Sequence, residues 1–224
     1  MSIRTARMIA LLALLPAALQ GTAAANEPDL TPLRAMIASQ KTIRTLSADY
    51  TQTRSLRTLR NPLVSKGRFR YEAPANFRWE AETPVRSALV GNASGIYLIH
   101  RDGKKTVTRK LASGTPEQAG FPGAPLLAAG DFETFRRAFR ILSLTTTGTE
   151  CHAVLQPLGG DAARGVSEVR IDFDRTTGEW SRLGIVTRDG SSIHYKFSNI
   201  RRNPKLPEGL FRTDQPALSG DETS

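Results

Sequence analysis

A single cysteine, Cys151, excludes an intrachain disulfide, so burial must hold this chain together. Its setting reads as a half-buried strand position rather than that of a nucleophile. Histidine is nearly as scarce: His100, His152 and His194 stand singly in different predicted strands. There is no H-E-x-x-H pair and no G-x-S-x-G elbow. His100-Arg101-Asp102 has the letters of a kinase catalytic loop, but Val107 stands where Asn is required. Gly103-Lys104-Lys105-Thr106 lacks the upstream glycine of a phosphate-binding loop, since Leu98 holds that place. Asp172, Asp174 and Gly178 fail as a calcium loop because the glycine is one place late and Leu183 replaces the twelfth-position carboxylate. With no nucleophile, base and oxyanion donors in one pattern, the expectation is a protein that is not an enzyme, with no catalytic residue, no metal and no cofactor.

Long apolar runs are also missing, except one. Arg4 and Arg7 precede the apolar stretch Met8 to Leu19, which ends in Gln20-Gly21-Thr22-Ala23-Ala24-Ala25. A basic start, about a dozen apolar residues and a small-x-small end describe a secretory signal peptide cut after Ala25. The stretch is too short for a bilayer span, which needs roughly 20 apolar residues. No cysteine follows the cut, so the lipid-anchor route of bacterial lipoproteins is closed. Residues 1–25 are therefore expected to be removed, leaving 26–224 as one periplasmic domain.

The net charge is +10, or +8 without Arg4 and Arg7. Export argues against a nucleic-acid partner. The basic residues are dispersed, and Lys66, Arg68 and Arg70 alternate with Gly67, Phe69 and Tyr71 as one solvated strand face would. The alternative is attraction to anionic lipid surfaces or acidic partners.

A first helix is predicted over 29–45, with Asp29 or Thr31 as cap, Pro32 in the first turn and Leu30, Leu33, Met36 and Ile37 as its apolar stripe. Short alternating runs follow, punctuated by Asn61-Pro62, Thr83-Pro84, Asp102-Gly103, Gly159-Gly160, Thr177-Gly178 and Asp189-Gly190. They predict about eleven strands: 46–58, 63–72, 76–82, 85–91, 95–101, 104–109, 139–147, 150–156, 166–173, 178–188 and 191–200. A mainly β fold follows, an antiparallel meander curling toward a barrel. Residues 112–130, rich in Gly, Pro and Ala, interrupt it and lead into a short helix capped by Asp131. Phe132, Phe135 and Phe139 fall on one helical face, which either plugs a barrel end or forms a movable lid.

Two stretches are specific. Leu46-Ser47-Ala48-Asp49-Tyr50-Thr51-Gln52 puts Leu46, Ala48, Tyr50 and Gln52 on one face. Gly67 to Glu80 forms a hairpin in which Phe69 and Tyr71 precede the Pro74 turn and Phe77 and Trp79 follow it. With the Leu89 to Leu98 turn region and the closing Asn203 to Phe211 segment, the chain resembles the LolA-like family of periplasmic outer-membrane lipoprotein carriers over about residues 30–215. That resemblance implies an incomplete, half-open antiparallel barrel of about eleven strands with an N-terminal helix and a helical lid over an apolar cavity. It implies an acylated lipoprotein or other lipid cargo, an inner-membrane ATP-driven release complex as donor, an outer-membrane receptor as acceptor, and a monomer. Strand alternation nominates Phe69, Phe77, Trp79, Leu89, Ile96, Leu98, Phe132, Phe135 and Phe139 as cavity residues. Ala73 stands before Pro74 where family members carry a basic residue that bonds to the lid, and the segment after Phe211 lacks the usual Pro-x-Gly ending. The alternatives are a carrier of a non-protein lipid, such as a glycolipid or acyl-linked precursor, and a lipid-sensing binding module. Export makes one direct prediction: mass spectrometry of the protein recovered from the periplasm finds a chain starting at Asn26, and a chain retaining Met1 would refute it.

Overall fold

The computed structural model describes residues 28–102, 105–113, 131–159 and 164–214. Helix α1 spans Thr31–Gln40. Strands follow at β1 Thr45–Ser55, β2 Leu63–Glu72, β3 Asn76–Thr83, β4 Ser87–Asn92, β5 Gly95–Asp102 and β6 Lys105–Ala112. Helix α2, Phe132–Ala138, leads straight into β7 Phe139–Thr147, then β8 Glu150–Pro157, β9 Val166–Asp174, β10 Trp180–Thr187 and β11 Ser192–Arg202. All eleven predicted strands are present. They form one antiparallel sheet in the order β6-β5-β4-β3-β2-β1-β11-β10-β9-β8-β7, so the meander is cut only where β1 pairs with β11. Strands β6 and β7 are the two ends of this order and do not pair, which leaves the barrel open. The cleavage region and most of the 112–130 segment lie outside the described residues.

Two sequence expectations need correction. Helix α1 is shorter than 29–45, because Asp29 only turns the chain by accepting from the Thr31 amide (3.0 Å), and Lys41 caps the far end. Phe139 opens β7 in extended backbone, as the 139–147 strand predicts, and so does not continue the helical face of Phe132 and Phe135. Asp131 does cap α2, its carboxylate accepting from the Thr134 amide at 2.8 Å.

The concave face is packed in two halves. Under α1 and α2, the side chains of Leu33, Met36, Ile37, Phe132, Phe135 and Phe139 meet Cys151, Leu155, Ile171 and Phe173. Cys151 is fully buried there. Arg34 lies 3.8 Å over the Phe132 ring, joining the two helices. The other half, on β1 to β5, packs Tyr50, Phe69, Tyr71, Phe77 and Ile96 with Ile43.

Two glycines make the aromatic half possible. A Cβ at Gly67 would sit 1.7 Å from the Glu80 carbonyl oxygen and 2.9 Å from the Tyr50 hydroxyl. Tyr50 faces Gly67 across β1 and β2 and donates to that same Glu80 carbonyl at 2.9 Å. Phe77 likewise lies over Gly91, where a Cβ would come within 2.1 Å of the ring. Aromatic rings laid over cross-strand glycines let a sheet curve inward while keeping its inner face apolar. Burial raises the Tyr50 phenol well above the ordinary tyrosine range, and it pushes Tyr195 up to about 12.

The convex face is solvated at Lys66 and Arg68, as alternation predicts, but not throughout. Arg78 and Glu80 point outward from β3 yet are 3% and 6% exposed. Glu80 is shared by Arg78 (2.7 Å) and Arg70 (2.6 Å), so Arg70 belongs to a buried ionic cluster rather than to a free face. The cover is the segment after β11: Leu210 accepts from Arg78, Phe211 accepts from Asn92, and the Phe211 ring packs on Ala88, Val90 and Ile99.

Gly67→Ala is expected to lower stability by about 3 kcal/mol through overpacking against backbone, read as a lower urea midpoint at unchanged slope. The tyrosines set an alkaline limit. A phenol whose folded pKa is raised stabilises fully below its unfolded value near 10. That contribution is lost as pH rises through the folded value, about 12 for Tyr195. Thermal stability should therefore fall between these limits together with delayed phenolate absorbance, and Tyr195→Phe should flatten the fall.

Candidate functional site

Between the two packed halves runs an apolar cleft. Its walls are Ile43, Leu46, Ala48, Phe69 and Trp79 on one side and Trp180, Leu183, Phe197 and Ile200 on the other. Gln40, Glu179 and Arg202 supply the polar atoms at its edge. Its cavity volume is about 40 Å³, room for roughly three waters. The chain's only two tryptophans, Trp79 and Trp180, both line it.

Trp79 is the hub of the inner wall. Its ring lies 4.7 Å from Phe69, 4.8 Å from Tyr195, 5.6 Å from Tyr50 and 6.4 Å from Phe197. All four contacts are tilted, the geometry ring quadrupoles favour. Below this cluster a small polar layer closes the interior: Gln52 donates to the Tyr195 hydroxyl (3.0 Å) and accepts from Ser65 (3.0 Å).

Strand β11 reaches the cleft by changing face. Tyr195 and Phe197 point inward, and strict alternation would send Asn199 and Arg201 after them. Asn199 instead has φ 51° at a register shift opposite Ser47 and Asp49, so Ile200 and Arg202 line the cleft. A bulge adds one residue and so reverses the facing of every later side chain on the strand. The Asn199 amide holds Asp49 at 2.6 Å.

Helix α1 forms the roof on the side of Trp180, whose indole N–H points at the Met36 sulfur, 3.2 Å away. Gly178 packs directly on this helix, where a Cβ would lie 2.8 Å from the Ser39 hydroxyl. The chain between α1 and β1 is held by Asn203: its amide oxygen accepts from Arg44 (2.7 Å) and Thr45 (3.3 Å), and its nitrogen donates to Thr42 (3.1 Å). Helix α1 is thus anchored at one end by polar bonds and laid over the cleft through thioether and methylene contacts.

Of the nominated cavity residues, Phe69 and Trp79 line the cleft. Phe77, Leu89 and Ile96 pack in the aromatic half beside it. Leu98 sits opposite Leu89 on β5, half-buried on the same face. Phe132, Phe135 and Phe139 do not reach the cleft and are core beneath α1, with Phe135 stacked on Phe132 at 6.3 Å and tilted against Phe139 at 5.2 Å. Sequence reasoning missed Trp180, Leu183, Tyr195 and Phe197. The alternation Tyr195-Lys196-Phe197 was the signal for the last two; no local signal marks Ile200, which depends on the bulge.

The histidines do not converge. His100, His152 and His194 lie on β5, β8 and β11, and His152 pairs with Asp172 at 3.0 Å on the outer face. Among the described residues no group of three or more His, Cys, Asp or Glu side chains could hold a metal ion.

The outer-membrane lipoprotein carrier protein of Dechloromonas aromatica is 27% identical over 79% of this chain and 80% of its own. That of Bordetella avium is 26% identical over 93% and 91%. Among solved structures, the LolA superfamily protein NE2245 from Nitrosomonas europaea matches 81% of this chain and 98% of its own at TM-score 0.42 and 10% identity. Residues 41–214 match the family described as outer membrane lipoprotein carrier protein LolA, and the chain belongs to that family.

Proposed function

We propose that this protein is a periplasmic carrier that shields the acyl chains of lipoproteins during transfer from the inner to the outer membrane. The observation that carries the reading is the apolar cleft between Phe69, Trp79, Trp180 and Phe197 beneath α1, in a chain whose relatives are lipoprotein carriers. The role is binding without a catalytic step. Each acyl methylene left in water costs about 0.8 kcal/mol, so a long chain needs cover worth on the order of ten kcal/mol to cross an aqueous gap.

The closed cleft, at about 40 Å³, is far too small for such a chain. Loading therefore requires α1 to lift from Trp180 and Gly178, with Asn203 as the fixed end. The energy released by acyl burial offsets the lost Met36 and Leu33 contacts, so cargo shifts the closed form to an open one. Phe77, Leu89, Ile96 and Leu98 then extend the acyl surface along β3, β4 and β5. Phe132, Phe135 and Phe139 act as lid support, carrying α1 rather than touching cargo. An inner-membrane ATP-driven complex would be the donor and an outer-membrane receptor the acceptor, with the carrier a monomer between them.

One observation favours a different cargo on the same fold. Ala73 packs in the aromatic half and its amide donates to the Arg44 carbonyl (2.8 Å), so no side chain there reaches a lid. A weaker latch suits a smaller load, such as a glycolipid or an acyl-linked precursor.

The purified protein should hold a triacylated lipoprotein in a soluble one-to-one complex, with a change in tryptophan emission because both indoles line the cleft. Failure where a known carrier succeeds overturns the lipoprotein reading, and a co-purifying lipid without protein in native mass spectra selects the other. The roof can be tested separately. A Cβ at Gly178 lies 3.6 Å from that of Ser39, within the span of a disulfide. The Ser39→Cys/Gly178→Cys variant should lose uptake when oxidised and regain it on reduction.

A further inference from the structure

The two ends of the sheet are chemically different. The cleft lies toward the end where α1 enters β1 and where β9 turns into β10. At the opposite end stand the β1–β2 loop, the β3–β4 connection and the β10–β11 hairpin, brought together because β1 pairs with both β2 and β11, and β2 with β3. From Arg54 to Arg70 the chain has six cations and no Asp or Glu: Arg54, Arg57, Arg60, Lys66, Arg68 and Arg70. Arg86 joins them from the β3–β4 connection. Arg68 and Arg70 are paired with Glu82 and Glu80. Arg54, Arg57, Arg60, Lys66 and Arg86 make no ion pair among the described residues and are exposed. Arg57 bonds only the Asp189 backbone carbonyl, and the Asp189 carboxylate is occupied within its own turn by Thr187 and Ser191.

Apolar side chains stand among these cations. Leu59 (45% exposed), Leu63 (49%), Val64 (51%) and Val85 (66%) are half of the large hydrophobics exposed among the described residues, and all four belong to this end. They sit on loop tips and strand ends, interspersed with the basic residues, rather than in a concave pocket. A protein partner is held by clustered anchors in pockets. A few projecting aliphatic side chains with arginines beside them match the boundary of a bilayer, where apolar tips enter the acyl edge and guanidinium groups meet headgroup phosphates.

We infer that the β1–β2 loop and the β3–β4 connection dock this protein on an anionic lipid bilayer, through Leu59, Leu63, Val64 and Val85 together with Arg57, Arg60 and Arg86. Docking at this end leaves the cleft and α1 at the far end free to meet another protein. It does not depend on what the cleft carries.

The test is flotation of the processed chain with vesicles of phosphatidylethanolamine and phosphatidylglycerol, against vesicles of phosphatidylcholine alone. Binding is expected only to the anionic vesicles, and salt should release it. Each arginine is worth about fivefold in affinity near an anionic surface, so Arg57→Gln/Arg60→Gln/Arg86→Gln should weaken binding by about a hundredfold. Leu59→Ser/Val85→Ser should weaken it while keeping the salt dependence. Arg175→Gln/Lys205→Gln, at the cleft end, should bind as the parent does, and unchanged circular dichroism establishes that each variant is folded. Absence of binding to anionic vesicles overturns the inference in favour of an acidic protein partner. Equal loss in the Arg175/Lys205 variant overturns it in favour of unspecific charge attraction.

Discussion

Everything in this structure answers one constraint: a single curved sheet of eleven strands has a concave face wider than its two described helices can cover. Helices α1 and α2 bury the half formed by β7 to β10, where Cys151, Leu155, Ile171 and Phe173 are sealed. The half formed by β1 to β5 fills itself with its own rings, admitted by Gly67 and Gly91. The two solutions meet at a seam, and the seam is the cleft. Trp79 on one side and Trp180 on the other belong to different halves.

The same constraint explains why the roof is held unevenly. Backbone polar groups between α1 and β1 need partners, and Asn203 supplies three bonds there from the end of β11. Among the described residues, the body of α1 meets the strands through apolar and thioether contacts. Directional bonds at one end and non-directional burial along the rest hold the element unevenly, because displaced apolar surface can be recovered against another apolar surface whereas a lost buried hydrogen bond cannot. Under the carrier function proposed above, cargo would replace what the helix gives up.

On the outer face the chain makes the opposite choice. Arg78, Glu80 and Arg70 form a buried ionic cluster beneath the segment that follows β11. Such a cluster adds little net stability once desolvation is counted, but removing one partner is costly, so it fixes register more than it strengthens the fold. The convex side is thus held by paired charges and the concave side by apolar contacts.

The eleven strands and the capped α2 were legible in the sequence, because turn chemistry and period-two alternation are local properties of a few neighbouring residues. The Phe69, Trp79 pairing across the Pro74 hairpin was legible for the same reason. Other features depend on residues far apart and were not. Arg78 and Glu80 look solvated until Leu210 and Phe211, from the far end of the chain, arrive to cover them. Ile200 faces the cleft only because a bulge at Asn199 shifts the alternation. Phe132, Phe135 and Phe139 share a face in any helical reading, yet whether that face meets a cavity or a core was decided by where α1 lies. Sequence determined the elements, since hydrogen-bonded period and turn geometry are written locally. Tertiary structure alone decided which inward side chains became core and which became cleft, since that turns on how far α1 and α2 reach across one wide sheet.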